Sequence, residues 1–194
     1  MRTLSLALPL ALAAALAAAP LAAGVDRPTH DATPSAATTE PESPLAAHVR
    51  QATDDFRAVA AAEAAGYALF HGCVTGPGGA MGVHYVNNEL VGDGAVDVNR
   101  PEALLYEFRN GRFRLLGVEY VVIAEQWNAA HPTPPVLDGQ LFTFTGAPNR
   151  YGIPAFYSLH VWAWQKNPDG GFQDFNPSVS CAEFAGAVGR ARPH

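Results

Sequence analysis

From Gly66 onward the chain is written in short runs of β-branched and aromatic residues, broken every few positions by Gly, Pro, Asn or Asp. A chain of this texture cannot sustain long helices; it reads as strands joined by turns. Strands are expected over residues 67–74, 82–87, 103–109, 112–123, 140–145 and 156–165. The Asn110-Gly111 pair between the third and fourth is the strongest short hairpin signal, so those two strands should be antiparallel neighbours. Prolines 132, 134 and 135 keep the segment after His131 out of regular structure, and residues 167–171 form another turn.

Ahead of this region lies one helical pattern. Ser43 supplies an N-cap and Pro44 the first helical position, and Leu45, Val49, Ala52, Phe56, Val59, Ala60 and Glu63 step round one face before Gly66. The face is narrow and alanine-rich, suited to close packing on a sheet. The expected fold class is mainly β (α+β): a curved antiparallel sheet or small β-barrel with one N-terminal helix packed on it.

The first residues combine one positive charge at Arg2, an apolar run from Leu4 to Ala19 and small residues through Gly24, the layout of a secretory signal peptide over residues 1–24. Pro9 and Pro20 argue against reading this run as a retained membrane anchor. Residues 25–43 are almost free of large apolar side chains and are expected to form a disordered linker. Residues 44–188 are then long enough for a single globular domain. The protein is expected to be exported, secreted or periplasmic, with no stable membrane anchor after cleavage. In that compartment Cys73 and Cys181 should pair, closing a loop of about 100 residues that stabilises by roughly 4.7 kcal/mol in the chain-entropy model. The formal net charge is −6, with no basic cluster, which excludes nucleic acid as a partner.

Residues two apart share a face of a strand. His160 then stands with Phe156, Ser158, Trp162 and Trp164, an aromatic setting in which its ring nitrogens need partners. Glu119, on a face with Leu115, Gly117 and Val121, has no other charge in its flanks, and a carboxylate is rarely buried unless paired or bound to a cation. His84 is a third polar group in an otherwise apolar strand. Two histidines and a carboxylate on three strands suit a single divalent metal ion with open positions for water or substrate, with Glu107 as a competing or fourth ligand. Tyr85, Trp162 and Trp164 are the expected walls of a pocket for a small-molecule ligand. The alternative is a satisfied core network in which the histidines donate to backbone carbonyls or to Glu119. There is no Gly-x-Ser-x-Gly elbow, and the glycines of residues 76–82 lack the Lys-Ser/Thr of a phosphate loop.

Through Gly72-Cys73-Val74, residues 82–87 (Gly-Val-His-Tyr-Val-Asn), residues 101–107 (Pro-Glu-Ala-Leu-Leu-Tyr-Glu), Gly117-Val118-Glu119-Tyr120, residues 159–164 (Leu-His-Val-Trp-Ala-Trp) and Asn167-Pro168, the chain resembles a group of uncharacterised secreted bacterial proteins. The resemblance runs from about Gly66 to Cys181. It implies the extent of the folded part and carries no catalytic residue. Two functions are therefore expected from the residues themselves. The first is an exported metal-binding protein, which as an enzyme would use the ion on a bound water or a substrate oxygen. The second is a non-enzymatic binding module for a small apolar or carbohydrate ligand; a structural role in the cell envelope fits the same composition.

Overall fold

The structure is a computed structural model that describes residues 43–185. The expected leader, nearly all of the expected linker and residues 186–188 of the expected domain lie outside the described residues.

Among the described residues, eight strands and four α-helices follow in order. Helices α1 (Pro44–Thr53) and α2 (Val59–Ala64) come first, then strands β1 (Ala68–Gly76) and β2 (Gly79–Val86), helix α3 (Asn88–Asp93), and strands β3 (Ala103–Arg109) and β4 (Arg112–Ile123). Helix α4 (Ala124–Ala130) leads to β5 (Val136–Leu137), β6 (Gln140–Leu141), β7 (Thr143–Thr145) and β8 (Phe156–Val161). Six strands form one antiparallel sheet in the order β1-β2-β3-β4-β8-β7, curled as a half-barrel. Its outer strands, β1 and β7, do not pair with each other, so the sheet is open and the closed-barrel alternative falls away. The Asn110-Gly111 turn joins β3 to β4 as expected, with both residues at positive φ.

The N-terminal helix packs on the sheet but is not continuous. Ser43 caps α1 by accepting from the Ala46 amide. At its far end the Thr53 hydroxyl donates to the Val49 carbonyl, and a 3₁₀ turn at Asp54–Arg57 followed by extended Ala58 separates α1 from α2. The break leaves the Phe56 carbonyl outside a helical ladder, where it accepts the Tyr106 hydroxyl at 2.5 Å. Periodicity did not point to α3 and α4, which are too short to carry a repeat. Asn87 caps α3, its side chain accepting from the Glu89 and Leu90 amides. The strand expected over 140–145 divides at buried Phe142 into β6, paired with β5, and β7, paired with β8. Strand β8 ends at Val161, earlier than expected.

Alternation across the strands separates two layers. On one face Val83, Tyr85, Leu104, Tyr106, Val118, Tyr120, Val122, Leu159 and Val161 meet Leu45, Val49 and Ala62 of the helices in the main hydrophobic core. Buried tyrosines satisfy their hydroxyls there on main-chain carbonyls, Tyr67 on Pro101 and Tyr120 on Val98, each at 2.7 Å. The opposite face carries a smaller cluster of Ala80, Leu105, Leu116, Trp162 and Val179. This second layer is closed by the chain after β8, which returns across the sheet, forms a bridge between Ala80 and Asn176 and is tied to β1 by the Cys73–Cys181 disulfide.

One irregularity corrects the expected facing of β4. Tyr106 pairs with Leu115 and Leu105 with Gly117, so Leu116 is an extra residue bulged out of the ladder. Strict alternation grouped Leu115 with Glu119; in the structure Leu115 belongs to the main core and Leu116 to the opposite layer.

Candidate metal centre

His84, Glu119 and His160 come from β2, β4 and β8, all on the face away from the helices. Glu119 and His160 are directly paired across β4 and β8, and on the other side of Glu119 the opposing residue of β3 is Ala103. A single methyl there lets the carboxylate and the His84 imidazole approach each other across β3. Glu119 Oε2 lies 3.4 Å from His84 Nε2, and Glu119 Oε1 lies 3.8 Å from His160 Nε2. One ligand atom from each of the three residues falls within 4.8 Å of the others, and all three residues are buried.

The polar atoms of this group are not used up by the protein. Among the described residues, the buried side-chain nitrogens and oxygens with no hydrogen-bond partner are Nδ1 of His84 and Nδ1 and Nε2 of His160. Such atoms are costly to bury unless something else satisfies them. The satisfied core network weighed from the sequence is therefore incomplete. Asp174, on the returning chain, places Oδ1 3.3 Å from His160 Nδ1. The distance is that of an ion pair without hydrogen-bond alignment.

Charge is balanced within the cluster. Burial pushes the Glu119 carboxyl up, but His160 and His84, with a hydrogen bond from Ser158, outweigh it and hold the group down at about 2. Burial pushes the His160 imidazole down, and Glu119 and Asp174 more than reverse this, so its net shift is upward. The carboxylate is thus a full negative charge in a buried site, and the surroundings of His160 favour a positive charge at its ring. A proton or a metal ion meets that demand.

Beside the cluster lies a cleft with an empty volume of about 590 Å³, part of it open to solvent. His84 and Glu119 line it, whereas His160 does not. Its other walls are largely apolar, from Phe70 and Val74 of β1, Val86, Val91 of α3, Val121, Ile153 and Phe156. Tyr151 joins them, its phenol raised to about 12 by burial and by the Glu119 charge. His71, at φ +56, accepts this left-handed conformation within a bulged part of β1 and sets its Nε2 2.8 Å from the Tyr151 carbonyl.

Other expected site residues are placed elsewhere. Glu107 is not a ligand: it is buried away from the cluster, held by Arg114 at 2.9 Å and by the Ser180 amide at 3.1 Å. Tyr85 faces the helices, stacked edge-on with Tyr106 and Phe113, because adjacent residues of a strand point to opposite sides and His84 takes the other one. Trp164 also lies on the helix side, donating to the Thr53 hydroxyl with Arg57 over its ring, since β8 has already ended and alternation no longer applies. Trp162 does share the face of the cluster. Its ring runs nearly parallel to His160, 6.4 Å away, and its indole N–H donates to the Gln173 carbonyl. It backs the histidine and does not line the cleft.

Two acids went unnoticed in the sequence. Asp174 sits in a turn-rich segment with no pattern to mark it. Glu102, 2 % exposed at the head of an apolar strand, carried a weaker signal than Glu119 because Arg100 stands two residues before it, and its carboxylate accepts from the Val121 amide at 2.8 Å.

Comparison with family models, with curated proteins and with solved structures finds no match to this chain, so the chemistry of the site is read from its own geometry.

Proposed function

We propose that this chain is an exported mononuclear metal protein whose divalent ion is held by His84, Glu119 and His160 and faces the adjoining cleft. The observation that carries the reading is the convergence of two imidazoles and one carboxylate on a single buried point, with ring nitrogens that no protein group satisfies. Two histidines and a carboxylate are a donor set used by Zn²⁺ and by first-row redox metals, with positions left for water or substrate. Asp174 Oδ1, 3.3 Å behind His160 Nδ1, is near enough to complete the carboxylate–histidine–metal arrangement once a ligated ion turns the ring into line with it. Bound there, the ion supplies Lewis-acid polarisation or activation of a coordinated water, and the protein contributes ligand orientation and an apolar, partly water-excluding wall. The disulfide supports an oxidising compartment, and no helix among the described residues is long and apolar enough to cross a membrane.

The test is metal content by elemental mass spectrometry on protein purified from its own host without chelator, beside His84→Ala and Glu119→Ala. About one equivalent of one metal in the parent, lost in both folded variants, establishes the site. A parent that is metal-free and takes up none on titration sinks it. The apolar walls of the cleft would then favour the second reading, a non-enzymatic module for a small ligand.

A further inference from the structure

Resting on the metal reading above, we infer that the site takes a small molecule with an apolar body and one anionic oxygen head, the head ligating the ion and the body lying in the cleft.

The cleft holds about 80 Å³ of water-accessible space, where about 10–15 Å³ takes one water, so its occupant is a small molecule. Its lining includes no Lys, Arg or Asp, and Glu119 is its one carboxylate. A divalent ion bound to one carboxylate leaves a net positive charge at that end, and no other charged side chain of the wall offsets it. An anionic oxygen completes both the coordination and the charge, while an ammonium head is repelled. Asp174 is felt at Tyr151, but it lies beyond His160 and outside the lining, and its side chain is 45 % exposed, so solvent screens it more than the buried ligands.

The body follows from the walls. Phe70, Val74, Val86, Val91, Ile153 and Phe156 offer no hydrogen bond from their side chains, and besides His84 and Glu119 the polar side chains of the wall are His71, Asn88 and Tyr151. A body hydroxylated all round would lose more water than these three can replace, whereas an aromatic or aliphatic one gains burial along the apolar walls. This separates the expected ligand from a carbohydrate.

Cobalt-loaded protein gives a direct readout, because the visible absorption of Co²⁺ changes when an oxygen ligand joins its coordination shell. The full chain, freed of metal and titrated with Co²⁺, is challenged with acetate, benzoate and benzylamine. The expected result is a spectral change with both carboxylates, benzoate binding at least about tenfold more tightly than acetate, and none with benzylamine. Val91→Trp on α3 and Ile153→Trp in the irregular segment before β8 each put an indole into the cleft without touching a ligating residue. Each is expected to weaken benzoate at least about tenfold while Co²⁺ uptake and acetate binding stay at the parent level. Either variant that folds, judged by circular dichroism, suffices. Equal affinities for acetate and benzoate, binding of benzylamine through the metal, or undiminished benzoate binding in a folded variant overturns the ligand assignment while leaving the metal centre standing. A parent that takes up no Co²⁺ overturns both.

Discussion

Glu119 of β4 and His160 of β8 are opposite one another in the sheet, and the same carboxylate reaches His84 of β2 across the one methyl of Ala103. One side chain therefore holds together two imidazoles that sit on strands three places apart in the sheet.

Removing that carboxylate takes away the buried counter-charge of His160 and leaves it only the partly exposed Asp174. Glu119→Ala is expected to destabilise the metal-free protein by about 3–5 kcal/mol, the usual cost of deleting one partner of a buried pair. Urea denaturation in metal-free buffer measures it, and a loss below about 1 kcal/mol would mean the pair contributes little.

Asp174 touches His160 from the side away from Glu119. Asp174→Ala is expected to weaken metal affinity by about 10–100-fold, read by competition with a chelator of known strength. Asp174→Asn should restore part of it, because its amide oxygen can accept from Nδ1 of a metal-bound His160. Unchanged affinity in Asp174→Ala would reduce the acid to a surface neighbour.

Burial pushes the Glu102 carboxyl up to about 8 against an ordinary 4.5, in spite of its bond from the Val121 amide. The folded state thus binds a proton that the unfolded chain has released. Glu102 stabilises fully below about 4.5, and this contribution is lost as pH rises through about 8. The total is on the order of a few kcal/mol. Urea midpoints of the parent are expected to fall relative to those of Glu102→Gln between pH 5 and 8; parallel curves would refute the assignment.

A Cβ at Gly117 would stand 2.2 Å from the Val161 carbonyl, whereas one at Gly92 of α3 meets nothing within 4 Å. Gly117→Ala is expected to cost about 1–3 kcal/mol or more, since backbone must move. Gly92→Ala should be neutral or gain about 0.4–1 kcal/mol. Thermal unfolding of the two variants side by side separates close packing from helix propensity.

The Cys73–Cys181 disulfide joins residues 108 apart. Its removal in Cys73→Ala/Cys181→Ala is expected to cost about 4–5 kcal/mol in the chain-entropy account. Denaturation of that variant, compared with reduced and oxidised parent, checks it; matching stabilities for reduced parent and variant would show that the covalent link is the whole effect.

Much of the fold could be read from the residues because local chemistry decided it. The turn at Asn110-Gly111 and the apolar run of β4 after Arg114, broken only by Glu119, gave bounds for β3 and β4 that agree with the structure. His84, Glu119 and His160 were visible as polar interruptions in apolar strands, a signal that survives without knowledge of the partners. What alternation could not reveal was where it stops. The bulge at Leu116 moved Leu115 to the other layer, and the end of β8 at Val161 sent Trp164 to the helices. Asp174 was hidden for a different reason: its position depends on the path of a returning segment, set by contacts far away in the chain.

That path begins at the bulge. The carbonyl of Leu116 accepts both the Trp164 and the Gln165 amides, at 2.9 and 3.0 Å, so the surplus residue of β4 offers a docking point just where β8 runs out. The itinerary of the C-terminal segment, and with it the seating of Asp174 behind His160, is decided by the length of a neighbouring strand. Shortening β4 by this one residue would leave the three converging side chains in place and still misdirect the carboxylate behind them.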